Sequence, residues 1–145
     1  MFATEDDRST HPETAMKDYN DVYTTPGAFS WTELSSSDAK AACDFYGSLF
    51  GWTYDTMNLG EGDYHVIKAG EVAIGGIMKQ QQPGPAVWGS YVTVESCDAT
   101  VEKARGLGAH VLAGPFDIPT IGRMAVLQDP QGAVIQVISY APMPT

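Results

Sequence analysis

From Phe29 onward the apolar and polar positions of this chain switch between two periodicities. Phe29 to Ser35 alternates with period two, as a strand with one covered face does. Ser37 or Asp38 then offers a capping oxygen, and Ala42, Phe45, Tyr46 and Leu49 recur at helical spacing, predicting a helix whose stripe is buried. Gly51 follows where a left-handed helix end needs a residue without a side chain. Three strands are expected next, at Trp52 to Met57, Tyr64 to Lys68 and Val72 to Met78, separated by Gly60 to Asp63 and Ala69-Gly70. After Gln80 to Pro85 the order recurs. It runs through a strand at Trp88 to Glu95, a cap at Cys97 or Asp98, a helix with Val101 and Ala104 on its inner face, and a closing Gly108. Strands follow at Ala109 to Leu112, Arg123 to Gln128 and Ala133 to Tyr140, the last two joined by a type I turn at Asp129 to Gly132.

The chain therefore holds one internal repeat, with a period of roughly 57 residues and the order βαβββ in each copy. Trp31 and Trp88 mark it. Residues 1–26 show no sustained apolar period and many acidic residues, so they are read as an N-terminal arm that Met1, Phe2, Met16, Tyr19, Val22 and Tyr23 could anchor. The domain then spans 27–145, with module one at 27–79, a linker at 80–86 and module two at 87–141.

Composition narrows the function. The 145 residues allow a single core without disulfides or a structural metal, and a net charge of −10 opposes nucleic acid and anionic lipid as partners. No apolar run approaches a membrane span and the polar start lacks the features of a signal peptide, so a cytoplasmic protein with no membrane partner is expected. Cys43 and Cys97 belong to no CxxC or Cys/His cluster. Phosphate-binding loops, dinucleotide fingerprints and nucleophile elbows are absent from the sequence.

The first module reads W-x-E-L-x-x-x-D-x-x-x-A-x-x-F-Y-x-x-L-F-G-W from Trp31 to Trp52, and the second ends D-P-x-G-x-x-I-x-V from Asp129. With the repeat, these motifs resemble the vicinal oxygen chelate superfamily of glyoxalases, bleomycin-resistance proteins and extradiol dioxygenases over residues 27 to 140. The resemblance implies an α+β fold in which two βαβββ modules form curved mixed sheets around a pocket, with the helices on the convex side. It also implies homodimerisation.

On that scaffold strand alternation assigns faces. Leu34 belongs under the first helix, so Trp31 and Glu33 look into the pocket. Val92 and Val94 belong under the second helix, leaving Gly89, Tyr91 and Thr93 to the pocket. Ile135 and Val137 pack inward, and Gln136 faces the pocket with Val134 and Ile138. Members of the family hold a divalent ion with His, Glu or Gln from the first and last strands of each module. The matching first-strand positions here are Trp31 and about Gly89, the last strand of module one offers no hard donor, and module two offers Gln136. No metal cofactor is therefore expected. The alternative is a shifted set of Glu33, His65 and Gln136, His65 being the sole histidine on a plausible lining strand; His110 sits at a strand start and His11 in the arm.

A lone carboxylate facing an apolar cavity is either a base with a raised pKa or a wall group bonded to a Tyr, a Trp N–H or a backbone amide. The expected ligand-binding set is Trp31 and Tyr91 for stacking, Glu33, Thr93 and Gln136 for polar groups, and Arg123 to pair with Glu33 or clamp a ligand carboxylate. The function expected is metal-free binding of a small hydrophobic or aromatic molecule. The alternatives are a metal-dependent lyase, isomerase or dioxygenase, with Glu33 as the catalytic candidate, and a dimeric interaction module.

Overall fold

The structure is a computed structural model describing residues 18–58, 60 and 62–141. A short 3-10 turn at Tyr19–Tyr23 precedes β1 (Phe29–Ser36), α1 (Ala39–Phe50), β2 (Thr53–Asn58), β3 (Asp63–Ala69) and β4 (Val72–Lys79). The second module comprises β5 (Val87–Thr93), α2 (Cys97–Gly106), β6 (His110–Ile118), β7 (Gly122–Gln128) and β8 (Val134–Tyr140). The βαβββ order appears twice, and the fold is the α+β architecture expected.

All eight strands form one curved, unclosed sheet in the order β2-β3-β4-β1-β5-β8-β7-β6. β1 runs parallel to β4 and β5 parallel to β8, while the antiparallel β1–β5 pair joins the modules. Both helices cover one face. Under α1 lie Leu34, Ile67 and Ile77 with Ala42, Cys43 and Tyr46; under α2 lie Ala125, Leu127 and Val137 with Cys97 and Val101. On the opposite face, where the modules meet, Tyr91, Met124 and Ile138 form a third cluster that Trp31 packs against. Glu33 lies on that side because it alternates with Leu34.

Local chemistry accounts for the helix ends. Asp38 caps α1 by accepting from the Ala41 N–H at 3.0 Å, and Gly51 ends it at φ 74°. α2 is capped by Ser96, not by Cys97 or Asp98, and the Ser96 Oγ accepts from the Ala99 N–H at 3.2 Å. A second correction concerns the α1 stripe: Tyr46 and Ala42 pack on the sheet, but Phe45 and Leu49 are 59% and 58% exposed, because helix and sheet meet one position further round. β6 also runs to Ile118, well past Leu112, passing Gly114 and Pro115 through two register shifts against β7.

Most of the N-terminal arm, including Phe2, His11 and Met16, lies outside the described residues. The part described, from Asp18, packs on the domain. Val22 is buried, its carbonyl accepts from the Thr93 Oγ1 at 2.6 Å, and Tyr23 meets Tyr140 edge to face at 5.1 Å. Among the described residues no helix is long and apolar enough to cross a membrane.

Candidate functional site

The face of the sheet away from the helices holds a cavity of about 380 Å³. Glu33 stands on its wall beside Tyr64, Tyr91 and Gln136, with Phe116, Ile118, Met124 and Val126 from β6 and β7 across from it and Met78 from β4. Asp63, Lys79 and Gln81 stand with them.

The carboxylate is the centre of a hydrogen-bonded chain that crosses the module boundary. The Tyr64 hydroxyl of module one donates to Oε2 at 2.7 Å, and the Tyr91 hydroxyl of module two donates to Oε1 at 3.1 Å. The Trp31 Nε1–H in turn donates to the Tyr64 oxygen at 2.8 Å. Burial raises the Glu33 carboxyl above its ordinary value of 4.5, and the two phenol hydrogen bonds pull the other way. Burial and the nearby carboxylate both push Tyr64 and Tyr91 up, so both stay protonated donors. Removing the outermost donor tests the chain. Trp31→Phe is expected to cost about 1–2 kcal/mol, since it deletes one buried N–H donor and part of a packed ring. Urea unfolding would measure it, and a cost under about 0.3 kcal/mol would mean that Trp31 does not hold Tyr64 in place.

Gln136 lies next to Tyr91 across the β5–β8 ladder, lines the cavity and donates its Nε2 to the Ser90 carbonyl at 3.1 Å, and no described group donates to its Oε1. Trp31 is not a lining residue; it stands behind Tyr64. Thr93 shares the Tyr91 face, but its hydroxyl is spent on Val22 and it does not reach the cavity. Arg123 points to the helix side, as the neighbour of Met124 must. Its guanidinium pairs with Asp98 of α2 at 3.2 Å and with Asp117 at 3.1 Å, so it neither meets Glu33 nor lines the cavity. His65 likewise shares the face of Ile67, and its Nδ1 bonds the Thr56 Oγ1 at 2.8 Å. It cannot join Glu33 and Gln136, which lie through the sheet from it.

Tyr64 is the residue that sequence reasoning missed. Its neighbours Asp63, His65 and Val66 do not reveal its face, but Gly76 on the adjoining strand does. A Cβ at Gly76 would fall inside the Tyr64 ring, so the glycine makes room for the aromatic. The same holds in module two, where a Cβ at Gly89 would stand 2.7 Å from the Gln136 Nε2.

These glycines bear on the family's metal. Glu33 and Tyr91 are equally placed before their helix caps, and their ladder partners are Gly76 and Gln136. The last-strand positions are thus Gly76 and Gln136, and the first-strand positions are Trp31 and Gly89. One amide oxygen is the sole hard donor among the four, and the Tyr64 ring and Gln136 amide fill the space over the glycines. The donor set does not fit a divalent ion. Among the described residues no group of three His, Cys, Asp or Glu converges elsewhere.

The profile of the glyoxalase-like domain family matches residues 31–138. The chain belongs to the glyoxalase-like domain family. It is 42% identical over 118 residues to CFP32 of Mycobacterium tuberculosis (strain CDC 1551 / Oshkosh), named as a candidate glyoxylase, covering 80% of this chain and 45% of that protein. It is 33% identical over 128 residues to the anthracycline biosynthesis protein DnrV of Streptomyces peucetius, covering 77% and 46%. The chain thus spans about half the length of these curated relatives. Among solved structures, a Streptomyces coelicolor methylmalonyl-CoA epimerase variant in complex with 2-nitronate-propionyl-CoA superposes with a TM-score of 0.64 at 16% identity, over 83% of this chain and 99% of that one. That likeness shows the glyoxalase-like fold and no more.

Proposed function

We propose that this glyoxalase-like domain binds a small, largely apolar or aromatic molecule in the Glu33 cavity without a metal ion. The observation that carries this reading is the replacement of converging ligands by the Trp31–Tyr64–Glu33–Tyr91 chain, in which two neutral phenols occupy both carboxylate oxygens. Such a chain positions a wall; it leaves no cluster of donors for a cation to bridge. The lining supports the ligand class, since aromatic, thioether and branched aliphatic side chains surround a few fixed polar atoms. The 33% identical DnrV, named for anthracycline biosynthesis, supports a flat aromatic body.

A second copy of the chain is the partner this reading favours. On the helix side, Tyr46, Phe50, Trp52 and Trp88 line an open groove of about 560 Å³, with Phe45 and Leu49 exposed beside it. The relatives carry nearly twice this length of chain, room for a second unit of this size packed there.

The test is elemental analysis of protein purified without chelator or affinity metal, followed by calorimetric screening of aromatic compounds with and without added Ni, Zn, Mn or Fe. Substoichiometric metal and metal-independent binding are expected. About one tightly held ion per chain, with turnover that depends on it, would replace this reading with that of a metal-dependent lyase, isomerase or dioxygenase.

A further inference from the structure

We infer that the molecule taken by the Glu33 cavity is an organic cation: a protonated amine carried on an apolar or aromatic body. The inference rests on the binding reading above and follows from a census of donors and acceptors at the wall. Trp31 spends its N–H on Tyr64, and Tyr64 and Tyr91 spend theirs on Glu33. Gln136 spends one amide proton on the Ser90 carbonyl. The donors around Glu33 are therefore almost all engaged within the protein, and Lys79 and Gln81 are the other lining residues that keep donors.

The acceptors are not. Each Glu33 oxygen accepts one phenol and keeps capacity for another donor, because a carboxylate offers about four lone-pair sites. No described group donates to the Gln136 Oε1, and the Tyr91 oxygen keeps its acceptor capacity, whereas that of Tyr64 is met by Trp31. A ligand that brings donors completes the wall around Glu33, whereas one that brings acceptors finds there only the second amide proton of Gln136. Charge points the same way. Among the described lining residues, Asp63 and Lys79 offset one another, and Glu33 has no cationic partner. A carboxylate in an apolar surrounding attracts an ammonium far more strongly than one in water does. The Phe116 ring and the Met78 and Met124 thioethers complete a polarisable surrounding for such a charge.

The experiment uses three probes that share one body and differ in head group: 1-naphthylmethylamine, 1-naphthylmethanol and 1-naphthoate. The benzyl series serves as a smaller set. Titration calorimetry at neutral pH on the full chain is expected to rank amine above alcohol by at least about tenfold, with the carboxylate weakest, as a charge-assisted hydrogen bond requires. In Glu33→Gln, checked for folding by circular dichroism, the amine and the alcohol are expected to bind alike. An alcohol or carboxylate that binds wild-type protein as tightly as the amine overturns the inference while leaving the cavity a binding site. Absence of binding by every probe of both series overturns the inference and the binding reading together. The wild-type ranking decides the matter even if the variant fails to fold.

Discussion

Gly75→Ala is expected to lower the folding stability by about 3 kcal/mol or more. Thr32 and Gly75 face each other across the parallel β1–β4 ladder, and a Cβ at Gly75 would run into the Thr32 carbonyl oxygen. That oxygen is backbone in the middle of an eight-stranded sheet, so no rotamer relieves the collision. The strands must part, and parting them loosens Leu34 and Ile77, which are 4% and 0% exposed beneath α1. Gly76→Ala is the control. There the added methyl meets the Tyr64 ring, a side chain that can leave, so the stability cost should be smaller while the bonds from Trp31 to Tyr64 and from Tyr64 to Glu33 break. Denaturant unfolding of the two variants measures the difference. A Gly75→Ala protein within about 1 kcal/mol of wild type would show that β1 and β4 do not approach this closely.

The paired glycines also mark how far the sequence could be read. Alternation alone put Leu34 under a helix and Glu33 on the other face, because a strand flanked by one covered face has only two assignments. The repeat, both helices and the turn at Asp129 were legible for similar local reasons, and a Gly75-Gly76 pair inside a strand is the kind of place where another group comes close. What approaches was not legible. Tyr64 reaches Glu33 from β3, two strands away in the sheet, and only the β3–β4–β1 order brings them together. Arg123 misled because a basic residue opening a strand has the same appearance on either face; its partners Asp98 and Asp117 lie on other elements. Phe45 and Leu49 misled in the opposite sense. Their spacing is that of a buried stripe, yet the surface they present stays open on this chain.

Glu33 variants should separate the two costs of a buried carboxylate. Because Glu33 binds a proton more readily in the folded chain than in the unfolded one, folding is favoured by this group below its ordinary value of 4.5, and that contribution is lost as pH rises through the raised folded value. Glu33→Gln keeps an acceptor for a phenol and never ionises. The stability of wild type relative to Glu33→Gln is therefore expected to be greatest in acid and to fall toward neutral pH, other titrations cancelling in the difference. A flat difference between pH 4 and 7 would mean that burial does not penalise the charge. Glu33→Ala removes the acceptor altogether. Tyr64 then has no acceptor for its proton, and Tyr91 has only the Met124 sulfur at 3.6 Å. One further unsatisfied hydroxyl and the lost side-chain packing should place Glu33→Ala about 2 kcal/mol below Glu33→Gln at neutral pH. Adding Tyr64→Phe to Glu33→Ala removes one orphaned hydroxyl but takes the acceptor from the Trp31 N–H, so the two effects should nearly cancel and the double variant is expected within about 1 kcal/mol of Glu33→Ala. If the double variant is instead weaker than Glu33→Ala by more than that, the Tyr64 hydroxyl stabilises the fold through Trp31 and not through the carboxylate.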